Sequence, residues 1–303
     1  MRRGGCQNGG MRGAAIFGVA ALAMLAGAGC YSMVGDGSSI AMGTSGTGAL
    51  RNAVRLPAEG DGYTVPERWR LRGNNFGTAE LVELIVRAAR KVERELPGSQ
   101  LGVADLSPEM GGPTEWHRSH ENGLDADLLF YVRRAGRPIA PPNVMLLFSP
   151  DGSSKPSLDP EGIAAGPLTI DVAREWALVR ALLTDPWVEV QYLFVYEPLR
   201  QRLLAHAVAR GEDPAIIAQA TEVLRQPVGA AAHDDHLHLR IYCPRSDRGL
   251  GCEDREPLRW VRKDYKYPLE ESLFSELPAL AELAAPLARL ASGLLASIGP
   301  VVL

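Results

Sequence analysis

Two short segments hold most of the side chains in this sequence that could do hydrolytic or metal chemistry. One is Ala231-Ala-His-Asp-Asp-His-Leu-His-Leu-Arg-Ile-Tyr-Cys243. Its alternation puts Leu237, Leu239 and Ile241 on one side of a strand and His236, His238, Arg240 and Tyr242 on the other. Two imidazoles two residues apart then point into the same space. The other segment is His117-Arg-Ser-His120-Glu-Asn-Gly123-Leu-Asp125-Ala-Asp127. Five of the six histidines fall in these two segments, and the sixth, His206, sits on a stretch that reads as an ordinary helix.

A catalytic zinc site takes three protein ligands and keeps one position open. His120, Asp127 and His238 could supply a nitrogen, oxygen, nitrogen set. The ion would lower the pKa of a bound water toward about 7 and polarise a carbonyl. His236, on the same strand face as His238, could act as general base toward that water. Gly123 would let the backbone turn tightly enough for His120 and Asp127 to reach one ion. His117, His233, Asp125, Asp234 and Asp235 are candidates to hold the ligands or to contact substrate. Each residue alone has a plain alternative, as a surface histidine, a turn cap or a solvated loop acid. The combination of a Gly-containing His-to-Asp segment entering a strand and a His-x-His on a second strand is specific. Zinc suits these ligands, although mixed His and Asp donors also accept other divalent ions.

The elements that must position these residues can be read from pattern. Thr78 caps a helix running to about Glu95, with Leu81, Val82, Ile85, Ala88, Ala89 and Val92 on one face. Leu101 to Leu106 reads as a short strand, and Asp127 to Val132 as a buried strand beginning at Asp127. A long polar, Pro- and Gly-rich stretch from Arg134 to Pro167 could border a substrate groove. Asp171 caps a helix to about Leu183, with Trp176, Val179 and Leu183 inward. Trp187 to Val195 is a strand. Helices follow from Pro198 to Arg210 and from Pro214, after Asp213, to Arg225. The expected class is α+β: a small antiparallel sheet flanked by helices, with the metal site in a cleft on one sheet face.

The chain of 303 residues is 46% hydrophobic and 22% charged with net charge −4, ample for a core and not basic enough for a nucleic-acid partner. Residues 1–30 read as an export signal: Arg2, Arg3 and Arg12 precede an apolar run from Ala14 to about Ala28. Leu25-Ala-Gly-Ala-Gly-Cys30 is similar to a bacterial lipobox, with Leu25 further from Cys30 than usual. Either Cys30 is lipidated and anchors an exported, periplasmic protein to the membrane, or the signal is cleaved conventionally. Residues 31–49 read as a flexible tether and residues 50–267 as the folded domain. Residues 268–303 read as an Ala/Leu-rich helical tail that packs on the domain or meets a partner or membrane surface. In an exported chain Cys243 and Cys252 are favoured to pair across a turn-rich segment, the other reading being two free thiols.

His120-x-x-Gly123-x-x-x-Asp127 followed by His236-x-His238 resembles the lysostaphin, D-Ala-D-Ala metallopeptidase and hedgehog group. Gly111-Gly-Pro113, His117-x-x-His120, Gly123-Leu-Asp-Ala-Asp127 and His233-x-x-His236-x-His238-x-Arg240-x-x-Cys243-Pro244 narrow the resemblance to the penicillin-insensitive murein endopeptidases, over roughly Leu50 to Arg262. The resemblance implies zinc held by His120, Asp127 and His238, His236 as the catalytic histidine, and His117 and His233 as further active-site histidines. It implies hydrolysis of the amide joining D-alanine to diaminopimelate in crosslinked peptidoglycan. The chain departs from the pattern in its few cysteines, in Glu121 where a glutamine is expected, and in both termini. A carboxypeptidase or dipeptidase of the same group, and a non-catalytic peptidoglycan-binding lipoprotein, are the competing readings.

Overall fold

The Oγ1 of Thr78 accepts a hydrogen bond from the Leu81 amide at 3.3 Å and starts the helix Ala79–Glu95, whose Leu81, Val82, Leu84, Ile85, Ala88, Ala89 and Val92 are buried. Asp171 likewise caps Val172–Leu183 by accepting from the Arg174 amide at 3.2 Å. The computed structural model describes residues 38–155 and 168–258, which include both helices. The helices share one core with a seven-stranded sheet. Its order is Leu224–Arg225, Val190–Phe194, His236–Ile241, Asp125–Leu129, Leu101–Val103, Tyr63–Thr64 and Glu59–Gly60. The four strands from Val190–Phe194 to Leu101–Val103 run antiparallel to one another, and a parallel pair flanks them on each side.

Register decides which face does what. Leu237 pairs with Leu128 and Leu239 with Ala126, and all four are buried in the core. On the opposite face His238 pairs with Asp127 and Arg240 with Asp125. Directly opposed residues of an antiparallel pair project to the same side. The expected α+β class with an antiparallel centre therefore holds, and the face opposite the apolar pairs carries the polar cluster.

Several boundaries differ from expectation. The strand expected to begin at Asp127 begins at Asp125. Arg240 Nη1 donates to Asp125 Oδ2 at 2.8 Å, so the acid is neutralised inside the sheet and need not sit in the loop. The helix expected to reach Arg225 ends at Val223, because Leu224 and Arg225 pair in parallel with Leu193 and Phe194. Part of the expected tether is folded: Ile40–Thr44 and Thr47–Arg51 form a hairpin. Its backbone is held at both ends. Ala41 N donates to Asp247 Oδ2 at 2.8 Å, Gly43 N to Gly251 O at 2.8 Å and Leu50 N to Met110 O at 3.0 Å. Glu121, the departure from glutamine, accepts the Gly48 amide at 3.1 Å and so ties this hairpin to the first histidine segment. The export signal, Cys30 and the Ala/Leu-rich tail lie outside the described residues.

Cys243 and Cys252 form a disulfide with Cα atoms 5.9 Å apart, both residues buried. It closes the turn that pairs with the hairpin through Gly251 and Glu253. Cys243→Ser is expected to lower the melting temperature of the oxidised protein by about 5–10 °C, from the stabilisation typical of a short closed loop. An unchanged melting temperature, or free thiols by mass spectrometry, would contradict this.

Glu175 is a buried acid on the inner face of the second helix. Its Oε2 accepts the Tyr131 amide at 3.1 Å, and its Oε1 has no hydrogen-bond partner among the described residues. Burial, with the Asp171 charge adding, pushes its pKa from 4.5 up to about 8 despite the Tyr131 amide. The folded state therefore keeps a proton that the unfolded state gives up, and stability drains away as pH rises through that window. Glu175→Gln should raise the melting temperature by several degrees at pH 8.5 and by much less at pH 5. Equal effects at the two pH values would contradict the assignment.

Candidate functional site

The turn that delivers the first segment is built from unusual backbone. Gly123 has φ +78°, and a Cβ there would meet Leu50 Cδ1 at 2.7 Å, so glycine is required on two counts. His120 itself has φ +71°, a left-handed conformation that costs energy for a residue with a Cβ. Its fully buried ring is fixed by donation from Nδ1 to the Leu106 carbonyl at 3.0 Å. A carbonyl can only accept, so in the neutral ring Nε2 carries the lone pair.

That lone pair faces Asp127. The carboxylate of Asp127, buried on the sheet face, is the hub of the site. His120 Nε2 lies 3.4 Å from its Oδ1, His236 Nε2 3.2 Å, His238 Nδ1 3.0 Å, and His117 Nδ1 lies 3.7 Å from Oδ2. Two of these atoms, His120 Nε2 and Asp127 Oδ2, are buried without a hydrogen-bond partner. Buried polar atoms are almost always satisfied, and a lone-pair nitrogen beside a carboxylate oxygen needs a cation or proton between them. The donors fall into two groups with no member in common, His117, His120 and Asp127, and His233, His236 and His238, each with its ligand atoms within 4.8 Å of one another. The expected trio His120, Asp127 and His238 draws on both groups, with Asp127 joining them. A divalent cation fits this donor set.

The surrounding groups orient the rings. His238 Nε2 lies 3.0 Å from Asp125 Oδ1, and donation there leaves Nδ1 turned to Asp127. Although burial opposes it, Arg240 and then His238 hold the Asp125 carboxyl far below the usual range. Asp127 is likewise held well below it by His236 and His120 against the cost of burial. His236 Nδ1 is 2.7 Å from Asp235 Oδ1, so its Nε2 points at Asp127. Burial opposes the charged ring of His236, but Asp127 and Asp235 outweigh it and push its pKa up to about 10. A cation bound to Asp127 would cancel much of that pull and return the ring toward its neutral, proton-accepting form. His233, with φ +56°, donates from Nδ1 to the Ala231 carbonyl at 2.9 Å. Burial and the neighbouring His236 and His238 push its pKa down to about 4, so it is neutral at pH 7.

Of the candidates, His117, His120, Asp125, Asp127, His233, Asp235, His236 and His238 come together. Asp234 does not join the cluster: it pairs with Lys155 Nζ at 2.7 Å. Sequence reasoning missed Asp105. Its fully buried carboxylate takes His117 Nε2 at 3.0 Å and Arg72 Nη1 at 2.5 Å, which turns His117 Nδ1 toward Asp127. A charged residue at the end of the apolar Leu101–Leu106 run was the available signal. The cluster opens into a pocket of about 1170 Å³ whose walls include Trp116, Met145, Tyr192 and Phe194.

The profile of the penicillin-insensitive murein endopeptidase family matches residues 41–146, which include the first histidine segment. A protein of Klebsiella pneumoniae (strain 342) named penicillin-insensitive murein endopeptidase is 28% identical over 252 residues, 79% of this chain and 81% of the relative. Proteins of the same name from Escherichia coli O157:H7 and Salmonella paratyphi C (strain RKS4594) are 27% and 26% identical over 223 residues, 72% of this chain and 71% of each relative.

Proposed function

From its relationship to the penicillin-insensitive murein endopeptidases, which bears out the resemblance in its motifs, we infer that this chain is a peptidoglycan endopeptidase whose chemistry depends on a metal at Asp127. We propose zinc as the metal, His120, Asp127 and His238 as its ligands, and the D-alanyl–diaminopimelate crosslink as the bond cut. The single observation that carries the metal is the pair of unsatisfied buried atoms, His120 Nε2 and Asp127 Oδ2.

Zinc bound there would supply Lewis-acid polarisation of the scissile carbonyl and acidify a nearby water. The remaining work falls to the protein. His236 Nε2 accepts the proton from the attacking water, and Asp235 holds its Nδ1–H and stabilises the ring once it is charged. The same nitrogen returns the proton to the departing amine. His233, neutral at pH 7, stands ring to ring with His236 at 4.9 Å and keeps a second charge out of the pocket. Asp125, pinned by Arg240, keeps the His238 ring in the tautomer a cation needs. The export signal of residues 1–30 and the lipidation of Cys30 would place this activity in the periplasm beside its substrate.

Mass spectrometry of purified tetrapeptide–pentapeptide dimers after incubation with residues 31–303 tests the bond. The expected products are a tetrapeptide and a pentapeptide monomer. Dimers that persist while the terminal D-alanine of the pentapeptide is lost would assign the chain to the D-Ala-D-Ala carboxypeptidases instead.

A further inference from the structure

Five arginines and four acids line the pocket. The chain has net charge −4, yet Arg72, Arg118, Arg225 and Arg255 line the pocket. The acidic side chains of the same wall are mostly committed: Asp125 to Arg240, Asp234 to Lys155 and Asp235 to His236. Glu256 is the exception, its Oε2 accepting the Leu258 amide at 2.9 Å. The surplus suits an anionic ligand.

Arg72 is the best placed of the four. It ends the helix Glu67–Arg72, which is anchored by the buried Trp69. Its Nη1 is held by Asp105, and its guanidinium lies 4.3 Å from the ring centroid of Trp116, a residue 54% exposed on the pocket wall. Held from two sides, the guanidinium keeps its Nε and Nη2 without hydrogen-bond partners among the described residues. Through Asp105 and His117 it stands one carboxyl and one imidazole ring from Asp127. A pre-oriented arginine on an aromatic platform is a carboxylate receptor.

We propose that Arg72, supported by Trp116 and Asp105, binds a carboxylate of the substrate on the amine side of the scissile amide, and so sets specificity for crosslinks in which that carboxylate is free. The inference rests on the endopeptidase reading above. In a D-alanyl–diaminopimelate crosslink the carbon bearing the scissile nitrogen also bears a carboxylate, so the ligand this site requires is present beside the bond. Asp105 thereby has two neighbours, Arg72 facing the substrate and His117 facing Asp127, and acts as a positioning residue for both.

The test compares kcat/KM on two dimers that differ only in whether that diaminopimelate carboxylate is free or amidated. Wild-type protein should prefer the free form by about 10- to 100-fold, the range lost when one hydrogen bond to a charged group is removed. Arg72→Gln should erase the preference, slowing the free form about 10- to 100-fold more than the amidated form, on top of any loss both share through Asp105 and His117. Trp116→Leu, which keeps Arg72 and its bond to Asp105, should weaken the preference through KM and leave kcat in place. Equal wild-type rates on the two dimers would overturn this inference and leave the endopeptidase reading standing. Equal slowing of both dimers by Arg72→Gln would overturn it too, in favour of a role confined to orienting His117. Failure of wild-type protein to cut either dimer would overturn the endopeptidase reading itself and the inference with it.

Discussion

Asp127→Asn should cost the protein most of its bound zinc and slow cleavage of crosslinked dimers by on the order of 10⁴-fold or more. Four imidazole nitrogens face this one carboxylate between 3.0 and 3.7 Å, so no other single residue touches as much of the site. The amide is isosteric but lacks the charge, and its NH₂ would point a donor at rings that would otherwise share a cation. Loss of Lewis-acid polarisation and of an acidified water removes several kcal/mol of transition-state stabilisation, and each 1.4 kcal/mol is about a factor of ten. Metal analysis of the purified variant alongside dimer turnover checks this. A variant that retains a full equivalent of zinc would show that Asp127 is not a ligand.

His236→Ala should behave differently. It removes a ring whose Nδ1 is taken by Asp235 and whose Nε2 faces Asp127, while leaving His120, Asp127 and His238 in place. Zinc content is expected to stay near that of the wild type and turnover to fall by about 10²–10⁴-fold, the usual contribution of a positioned general base. The loss should appear in kcat, with KM little changed, because the proton moves only in the transition state. Metal analysis and steady-state kinetics on one preparation separate the alternatives. Loss of zinc together with activity would make His236 a ligand, a role open to it as one of the second donor group, His233, His236 and His238.

Much of this site was legible in the sequence because its signals are periodic or local. Alternation through His236–Ile241 put both histidines on one face, and the observed register sets His238 opposite Asp127 there. Thr78 and Asp171 announced their helices by side-chain chemistry at the cap. What was not legible depended on long-range pairing. The hairpin at residues 40–51 looks like a linker in composition, being rich in glycine and threonine. It is a pair of strands only because Met110, Glu121 and Gly251 receive it. Asp125 looks like a loop acid, and Asp105 passes unremarked in an apolar run, until Arg240 and Arg72, 115 and 33 residues away, neutralise them inside the fold. Asp234 and Asp235 are indistinguishable by type and adjacent in sequence. Just before the strand His236–Ile241, one pairs with Lys155 and the other with His236.

The most direct test of the central claim is titration of zinc back into chelator-stripped protein, with cleavage of crosslinked dimers followed alongside. Metal-dependent hydrolysis centred on Asp127 predicts no cleavage by stripped wild-type protein and recovery that saturates at one equivalent of zinc. It also predicts no recovery for Asp127→Asn at the same zinc concentrations. Cleavage at the wild-type rate by stripped protein, or equal recovery by Asp127→Asn, would contradict it.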